Sequence, residues 1–342
     1  MINLEKLIDK KPFIIAEVSA NHKQDLKIAK KLIDLASEAG SNAVKFQTFR
    51  PDSLTLKSNT EDFVLGDESN WSGYSLYELY EQAATPYEWH EELFNYAKSK
   101  NLIPFTSVFS ITDLEFLESI DCEIYKIASY EANDIQLIEE VSKIGKPVIM
   151  SVGGCTEIEV VESINILKKN LVDNFVVLNC LSAYPAPLDE FSVGRTKRLI
   201  NEFNVKTGLS DHSNNHYAAL ATLTLGGLVF EKHIMVDEGD SLDKDFSATK
   251  DEFSDYIRTI NSLFTSLNEN LFEPKKSETP NVILKRSIFT TKEIKKGEEF
   301  TLENTRSVRP ATGLHPHRYK ELLGSKSKTD LNKNSPISEE DF

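Results

Sequence analysis

FIIAEVSANHKQDLKIAKKLIDLASEAGSNAVKFQ, residues 13–47, holds one complete strand–helix–strand unit. Residues 13–17 form a short apolar run that ends on a carboxylate. Leu26, Ala29, Leu32, Ile33, Ala36 and Ala39 then fall on one helical face. Gly40 ends the helix, because glycine takes the left-handed conformation without steric cost. Residues 43–47 resume β character. Two strands joined by a helix need a crossover connection and so run parallel.

The same alternation continues to about residue 268. Further strands are expected at 103–107, 123–128, 147–151, 175–179, 205–210 and 228–233, making eight with no two-residue hairpin between any pair. An open parallel sheet would share the alternation, but eight strands predict an α/β fold of the (β/α)8 TIM-barrel type. Thr85 with Glu88, Thr112 with Glu115 and Thr156 with Glu159 read as capping boxes, with Pro86 at the first helical position. One connection, between the second strand and Thr85, is unusually long and carries Asn70, Trp71, Tyr74, Tyr77 and Tyr80. Connections of that length are commonly lids or binding elements. Its aromatics suit a sugar face, and they suit packing on the barrel rim equally well.

Past the barrel, residues 269–283 read as a polar, proline-bearing linker. Residues 284–342 read as a small β-rich unit, with strands around Ser287–Thr291 and Ser307-Val308 and a turn at Lys295-Lys296-Gly297. The expected division is therefore 1–268, 269–283 and 284–342.

A net charge of −15 argues against non-specific nucleic-acid binding, which needs clustered cations. With 40% hydrophobic and 27% charged residues, the chain can build a sizeable core under an ordinary polar surface. The opening residues lack an apolar run of signal-peptide length, and no later stretch reaches the roughly 20 apolar residues of a membrane span. Cys122, Cys155 and Cys180 lack metal-site spacing and read as reduced, small core residues. The expectation is a cytoplasmic protein with no membrane or nucleic-acid partner.

Barrel enzymes place their chemistry at the carboxyl ends of the strands. Those ends carry Glu17, Asn21 and His22; Lys45 and Gln47; Ser107; Lys126 and Ser129; Ser151; Asn179 and Tyr184; Ser210, Asp211 and His212; and Glu231 and His233. His212 and His233 end adjacent strands, so two imidazoles with water and substrate oxygens would suit Mn²⁺, Fe²⁺ or Co²⁺. Two rim histidines bonded to loops would give the same spacing. Lys45 and Lys126 could clamp a phosphate or carboxylate, with serine hydroxyls donating hydrogen bonds. Lys126 could instead form a Schiff base. Glu17 either faces the pocket or is a costly buried charge.

Phe-Ile-Ile-Ala-Glu-Val-Ser-Ala-Asn-His (13–22), Val-Lys-Phe-Gln-Thr (44–48), Tyr-Lys-Ile-Ala-Ser (125–129), Gly-Leu-Ser-Asp-His (208–212) and Phe-Glu-Lys-His (230–233) resemble the sialic acid synthase family. The resemblance runs in order along nearly the whole chain and includes a C-terminal segment similar to the family's antifreeze-protein-like (SAF) domain. It implies a transferase that condenses phosphoenolpyruvate with an amino-sugar aldehyde and releases phosphate. Ser-Leu-Tyr-Glu-Leu-Tyr (75–80), Thr-Pro-Tyr-Glu-Trp-His (85–90), Ser-Ala-Tyr-Pro-Ala-Pro (182–187) and Gly-Leu-His-Pro (313–316) resemble the branch that uses 2,4-diacetamido-2,4,6-trideoxy-L-altrose.

Carried over by resemblance, Glu17 is the catalytic glutamate, and Lys45, Ser107, Lys126, Ser129, Ser151 and Ser210 bind phosphoenolpyruvate. Gln47, Tyr184, Asp243 and Arg309 face the acceptor sugar, and His212 and His233 hold Mn²⁺, Mg²⁺ or Co²⁺. Arg309 would reach a partner subunit's site, which implies a domain-swapped homodimer. The chain departs from the family wording at Lys23, Val108, Val152 and Gly154, and it lacks the usual glycine within 328–336. Rival readings are a sister synthase acting on N-acetylmannosamine or the legionaminic precursor, a Schiff-base sialic acid aldolase, and a non-catalytic sugar-binding protein.

Overall fold

Eight parallel strands close into a barrel in the computed structural model, which describes residues 2–8, 11–67, 69–171, 174–236, 241–267 and 272–342. They are β1 Phe13–Glu17, β2 Ala43–Thr48, β3 Ile103–Val108, β4 Tyr125–Ile127, β5 Val148–Ser151, β6 Phe175–Cys180, β7 Lys206–Asp211 and β8 Val229–His233. Each strand pairs with the next, and β8 pairs with β1 to complete the ring. Every expected strand is present, with ends displaced by at most two residues.

Strand periodicity sorts the side chains. On β2, Phe46 packs against Phe94 of the helix His90–Ser99, with ring centroids 6.0 Å apart. Lys45 and Gln47, one residue to either side, therefore project to the opposite face, into the barrel. The outer face is covered by helices such as Leu26–Ala39, which buries Ala29, Leu32, Ile33 and Ala36. That helix ends at Gly40, whose φ of +91° lets its N–H reach the carbonyls of Ala36 and Ser37.

Of the three expected capping boxes, only the Thr156–Glu159 box forms. The helix Ile111–Ser119 is capped by Ser110, which accepts from Asp113 N–H at 3.1 Å, leaving Thr112 inside the first turn. Thr85 Oγ1 is buried without a hydrogen-bond partner, because the turn that follows is the tighter Tyr87–Trp89 with Pro86 as its cap. A hydroxyl two residues earlier, or a tighter first turn, defeats the spacing rule.

Among the described residues, the long connection after β2 has regular structure of its own. It contains the helices Pro51–Leu54 and Leu76–Ala83, the latter capped reciprocally by Ser75 and Glu78. Lys23, where the family wording has asparagine, sits in the left-handed region at φ +52°.

The chain divides into two compact units, Met1–Leu267 and Asn268–Phe342. The expected boundary at 268 and the first linker residues, 269–271, lie outside the described residues. The second unit has its own small core of Ile288, Ile294, Phe300, Leu314, Leu322 and Ile337. Its β9 Ser287–Thr290 and β10 Thr305–Val308 pair antiparallel.

Candidate active site

Strand register sets the floor of the site. Glu17 pairs in register with Lys45 on one side and with His233 on the other. Ser107 is level with Lys126, and Ser210 with Glu231. These residues meet at the carboxyl end of the barrel around a cavity of about 450 Å³. Lys45, Gln47, Ser107, Lys126, Ser129, Ser151, Tyr184, Ser210, His212, His233 and Asp243 all line it. Glu17 does not. It is fully buried, 2.8 Å from Lys45 Nζ, and accepts from Gln47 Nε2 at 2.9 Å. Arg309 lies in the second unit.

Two carboxylates share two ammonium groups here. Lys45 contacts Glu17 and also lies 3.7 Å from Glu231, which is 3.6 Å from Lys126. Lys45 also donates to Ser107 Oγ at 3.0 Å. Burial pushes the Glu17 carboxyl up to about 7 against the pull of Lys45. Burial pushes Lys126 down, while Glu231 pulls it back up. Glu231 stays ionised, because Lys126 and Lys45 outweigh the cost of its burial.

From Glu17 a hydrogen-bond chain runs along one wall. Gln47 Nε2 also donates to Ser19 Oγ at 2.9 Å, and Ser19 donates to Asp243 Oδ2 at 2.5 Å. Asp243 Oδ2 lies 3.9 Å from His233 Nδ1. The His212 and His233 rings are 5.2 Å apart, so both imidazoles share a cavity with the lysine pair. His212 Nδ1 donates to the Leu181 carbonyl at 3.1 Å, which leaves Nε2 as the nitrogen that can meet a ligand, and against burial the neighbouring Cys180 holds this imidazole up. Burial first, and then His212, hold His233 well below the usual imidazole range, and its Nδ1 has no hydrogen-bond partner.

A neutral imidazole with an orphaned nitrogen beside a second imidazole fits a divalent ion whose shell is completed by oxygens. Among the described residues no group of three or more His, Cys, Asp or Glu side chains could hold a metal.

Sequence reasoning gave Glu231 no role, although it stands two positions before His233 on the same strand face. It also passed over Glu131, which lines the cavity with Oε2 unpartnered and is pushed up to about 7 by burial. Glu131 closes the short turn Ser129–Glu131 rather than a strand, so no periodicity points to it. Trp71 and Phe246 complete the aromatic wall beside Tyr184.

The NeuB family matches residues 32–271, and the SAF domain matches residues 285–342. The pseudaminic acid synthase of Campylobacter jejuni is 42% identical over 335 residues, covering 98% of this chain and 97% of that protein. The N,N'-diacetyllegionaminic acid synthase of the same organism is 32% identical, covering 92% of this chain and 95% of that protein. A crystal structure of N-acetylneuraminic acid synthetase from Leptospira borgpetersenii superposes with a TM-score of 0.70 at 28% identity, covering 80% of this chain and 91% of that one.

Proposed function

We propose, from the premise that this chain belongs to the NeuB family, that its barrel condenses phosphoenolpyruvate with 2,4-diacetamido-2,4,6-trideoxy-L-altrose, as a pseudaminic acid synthase. The observation that carries this reading is the meeting of Lys45 and Lys126 with His212 and His233 around one cavity. Identity of 42% to a pseudaminic acid synthase, against 32% to a legionaminic one, favours that acceptor over its sister.

Lys45 and Lys126, with the hydroxyls of Ser107, Ser129, Ser151 and Ser210, hold the carboxylate and phosphate of phosphoenolpyruvate. Glu17 and Glu231 keep those ammonium groups charged inside a buried site. The imidazoles of His212 and His233 would hold a divalent ion, Mn²⁺, Mg²⁺ or Co²⁺. Such an ion supplies Lewis-acid polarisation of the acceptor's aldehyde. Gln47, Tyr184 and Asp243 orient the open-chain sugar so that its aldehyde meets carbon 3 of phosphoenolpyruvate.

The new C–C bond takes the enol electron pair, and positive charge develops at carbon 2. Water adds to carbon 2 and loses a proton, and the tetrahedral product expels phosphate by C–O cleavage. The aldehyde oxygen gains a proton. Glu17, pushed up to about 7 by burial, is assigned to orienting the acceptor: it accepts from the Gln47 amide, which also donates to Ser19 on the acceptor side.

Arg309, in the SAF unit, is assigned to the acceptor pocket of a second copy of the chain, which makes the working form a domain-swapped homodimer in the cytoplasm. No helix among the described residues is long and apolar enough to cross a membrane.

The test offers phosphoenolpyruvate with each candidate acceptor, with and without EDTA, and follows phosphate release and product mass. Phosphate release with the trideoxy altrose sugar, lost on chelation and restored by a divalent ion, is expected. Turnover of pyruvate with borohydride-trappable lysine and no effect of EDTA would mean an aldolase instead.

A further inference from the structure

The strap between β2 and Thr85 lines one side of the cavity mostly with apolar side chains, Leu54, Leu65, Trp71, Leu76 and Leu79, beside the hydroxyls of Ser69 and Tyr80. It folds on itself, with Leu65 N–H donating to the Tyr74 carbonyl at 3.0 Å and Gly73 N–H to the Leu65 carbonyl at 3.2 Å. Two side chains fasten it to the barrel loops. Asn70 donates to the Tyr184 carbonyl, and Trp71 Nε1 donates to the Leu242 carbonyl at 3.0 Å. That bond consumes the only polar atom of the indole, so Trp71 presents an apolar ring to the cavity it lines.

The ring continues an aromatic surface. Trp71 lies 5.6 Å from Tyr184 and 6.4 Å from Phe246 by centroid, and Tyr184 lies 4.5 Å from His212. Phe246 is 4.9 Å from His233. The surface thus starts at the imidazole pair, where the acceptor aldehyde belongs, and runs outward to the strap. Leu65, Leu76 and Leu242 extend the lining there.

Resting on the reading above, we propose that Trp71, with Leu65, Leu76 and Leu242, forms an apolar acceptor subsite. It takes the methyl end of a 6-deoxy sugar and selects that sugar over a fully hydroxylated one. A hydroxyl pressed against this wall loses its water partners and finds no replacement, whereas a methyl gains contact. A single hydrocarbon-sized difference in such a pocket is worth roughly 10- to 200-fold in kcat/KM.

The experiment measures KM and kcat for phosphoenolpyruvate, for 2,4-diacetamido-2,4,6-trideoxy-L-altrose and for N-acetylmannosamine in the wild type, Trp71→Ala and Trp71→Phe. Trp71→Ala is expected to raise KM for the trideoxy sugar by roughly 10-fold or more. The KM for phosphoenolpyruvate should stay within about twofold, and Trp71→Phe should recover most of the loss. The preference for the trideoxy sugar over N-acetylmannosamine should shrink in Trp71→Ala. If Trp71→Ala raises both KM values together, or leaves the preference intact, the subsite is overturned while the functional reading stands. A wild type that prefers N-acetylmannosamine overturns both.

Discussion

The Glu231 carboxylate stands 3.6 Å from the Lys126 ammonium, with both side chains buried. Burial pushes the Lys126 ammonium down from its ordinary range, and Glu231 is the strongest influence pulling it back up. Removing one partner of a buried pair typically costs about 3–5 kcal/mol, because the other charge is left stranded. Glu231→Gln should therefore lower the Lys126 pKa and weaken the grip on phosphoenolpyruvate. KM for phosphoenolpyruvate is expected to rise about 10-fold or more, and the rise should grow as pH is raised. Steady-state kinetics at about pH 6.5 and 8.5 decide it, and parallel profiles for the two enzymes would count against the pairing.

Two adjacent glycines should behave differently. A Cβ on Gly153 would lie 2.2 Å from Ser182 Oγ, 2.9 Å from Cys180 Sγ and 3.0 Å from Ser129 Oγ. Gly153 N–H also donates to Ser129 Oγ at 3.0 Å. Gly153→Ala is thus expected to displace Ser129 and lower kcat/KM for phosphoenolpyruvate by roughly 10- to 100-fold, as small misplacements in a bound complex do. Gly154 has φ of +73° and open space around it. Gly154→Ala should cost about 1 kcal/mol of stability with kcat/KM unchanged. Melting curves beside kinetics separate the two effects.

The barrel was legible because parallel strands buried on both faces are nearly continuous apolar runs, and most of the runs here carry a polar residue at or near the end. Lys45, Lys126, His212 and His233 could be picked out because period-two geometry points strand-end side chains inward. Three things were not legible. For Glu17 the pocket and the costly buried charge were both open readings, and which one holds depends on strand pairing, which is invisible in one segment. Glu131 and Ser19 reach the site from short turns, which carry no period. For Trp71 a sugar face and packing on the barrel rim were both open readings, and the choice depends on the fold of a strap whose partners, Tyr184 and Leu242, lie more than 100 residues away in sequence.

Helix capping near β3 offers a direct check on local stability. Ser110 accepts from Asp113 N–H and donates to Asp113 Oδ2 at 2.7 Å, while Thr112 occupies a helical position without that duty. Ser110→Ala should destabilise the barrel by about 1 kcal/mol, and Thr112→Ala by much less. Urea denaturation midpoints provide the measurement. A larger loss at Thr112 would return the cap to the residue that spacing favoured.

Acid stability should be governed in part by two histidines that take no part in substrate binding. His90 donates from Nδ1 to the Pro86 carbonyl at 3.0 Å and accepts at Nε2 from the Thr48 hydroxyl at 2.5 Å. His22 accepts at Nδ1 from Gln24 N–H at 3.1 Å. Burial pushes both imidazoles down to about 4, from an ordinary value of 6.5. Between those values the unfolded chain binds protons that the folded chain refuses, so unfolding gains as pH falls. The stability is complete above about pH 6.5 and lost progressively toward pH 4, by roughly 3 kcal/mol for each histidine. Glu17 and Glu131, raised to about 7, act with the opposite sign, because the folded state keeps their protons over a range where the unfolded state has released them. The net slope therefore mixes both effects, and a variant isolates one of them. The stability gap between wild type and His90→Gln should change by about 2–3 kcal/mol between pH 7 and about pH 4.5, the wild type losing more on acidification. Urea melts at the two pH values that differ by a constant offset would show that His90 is not held neutral.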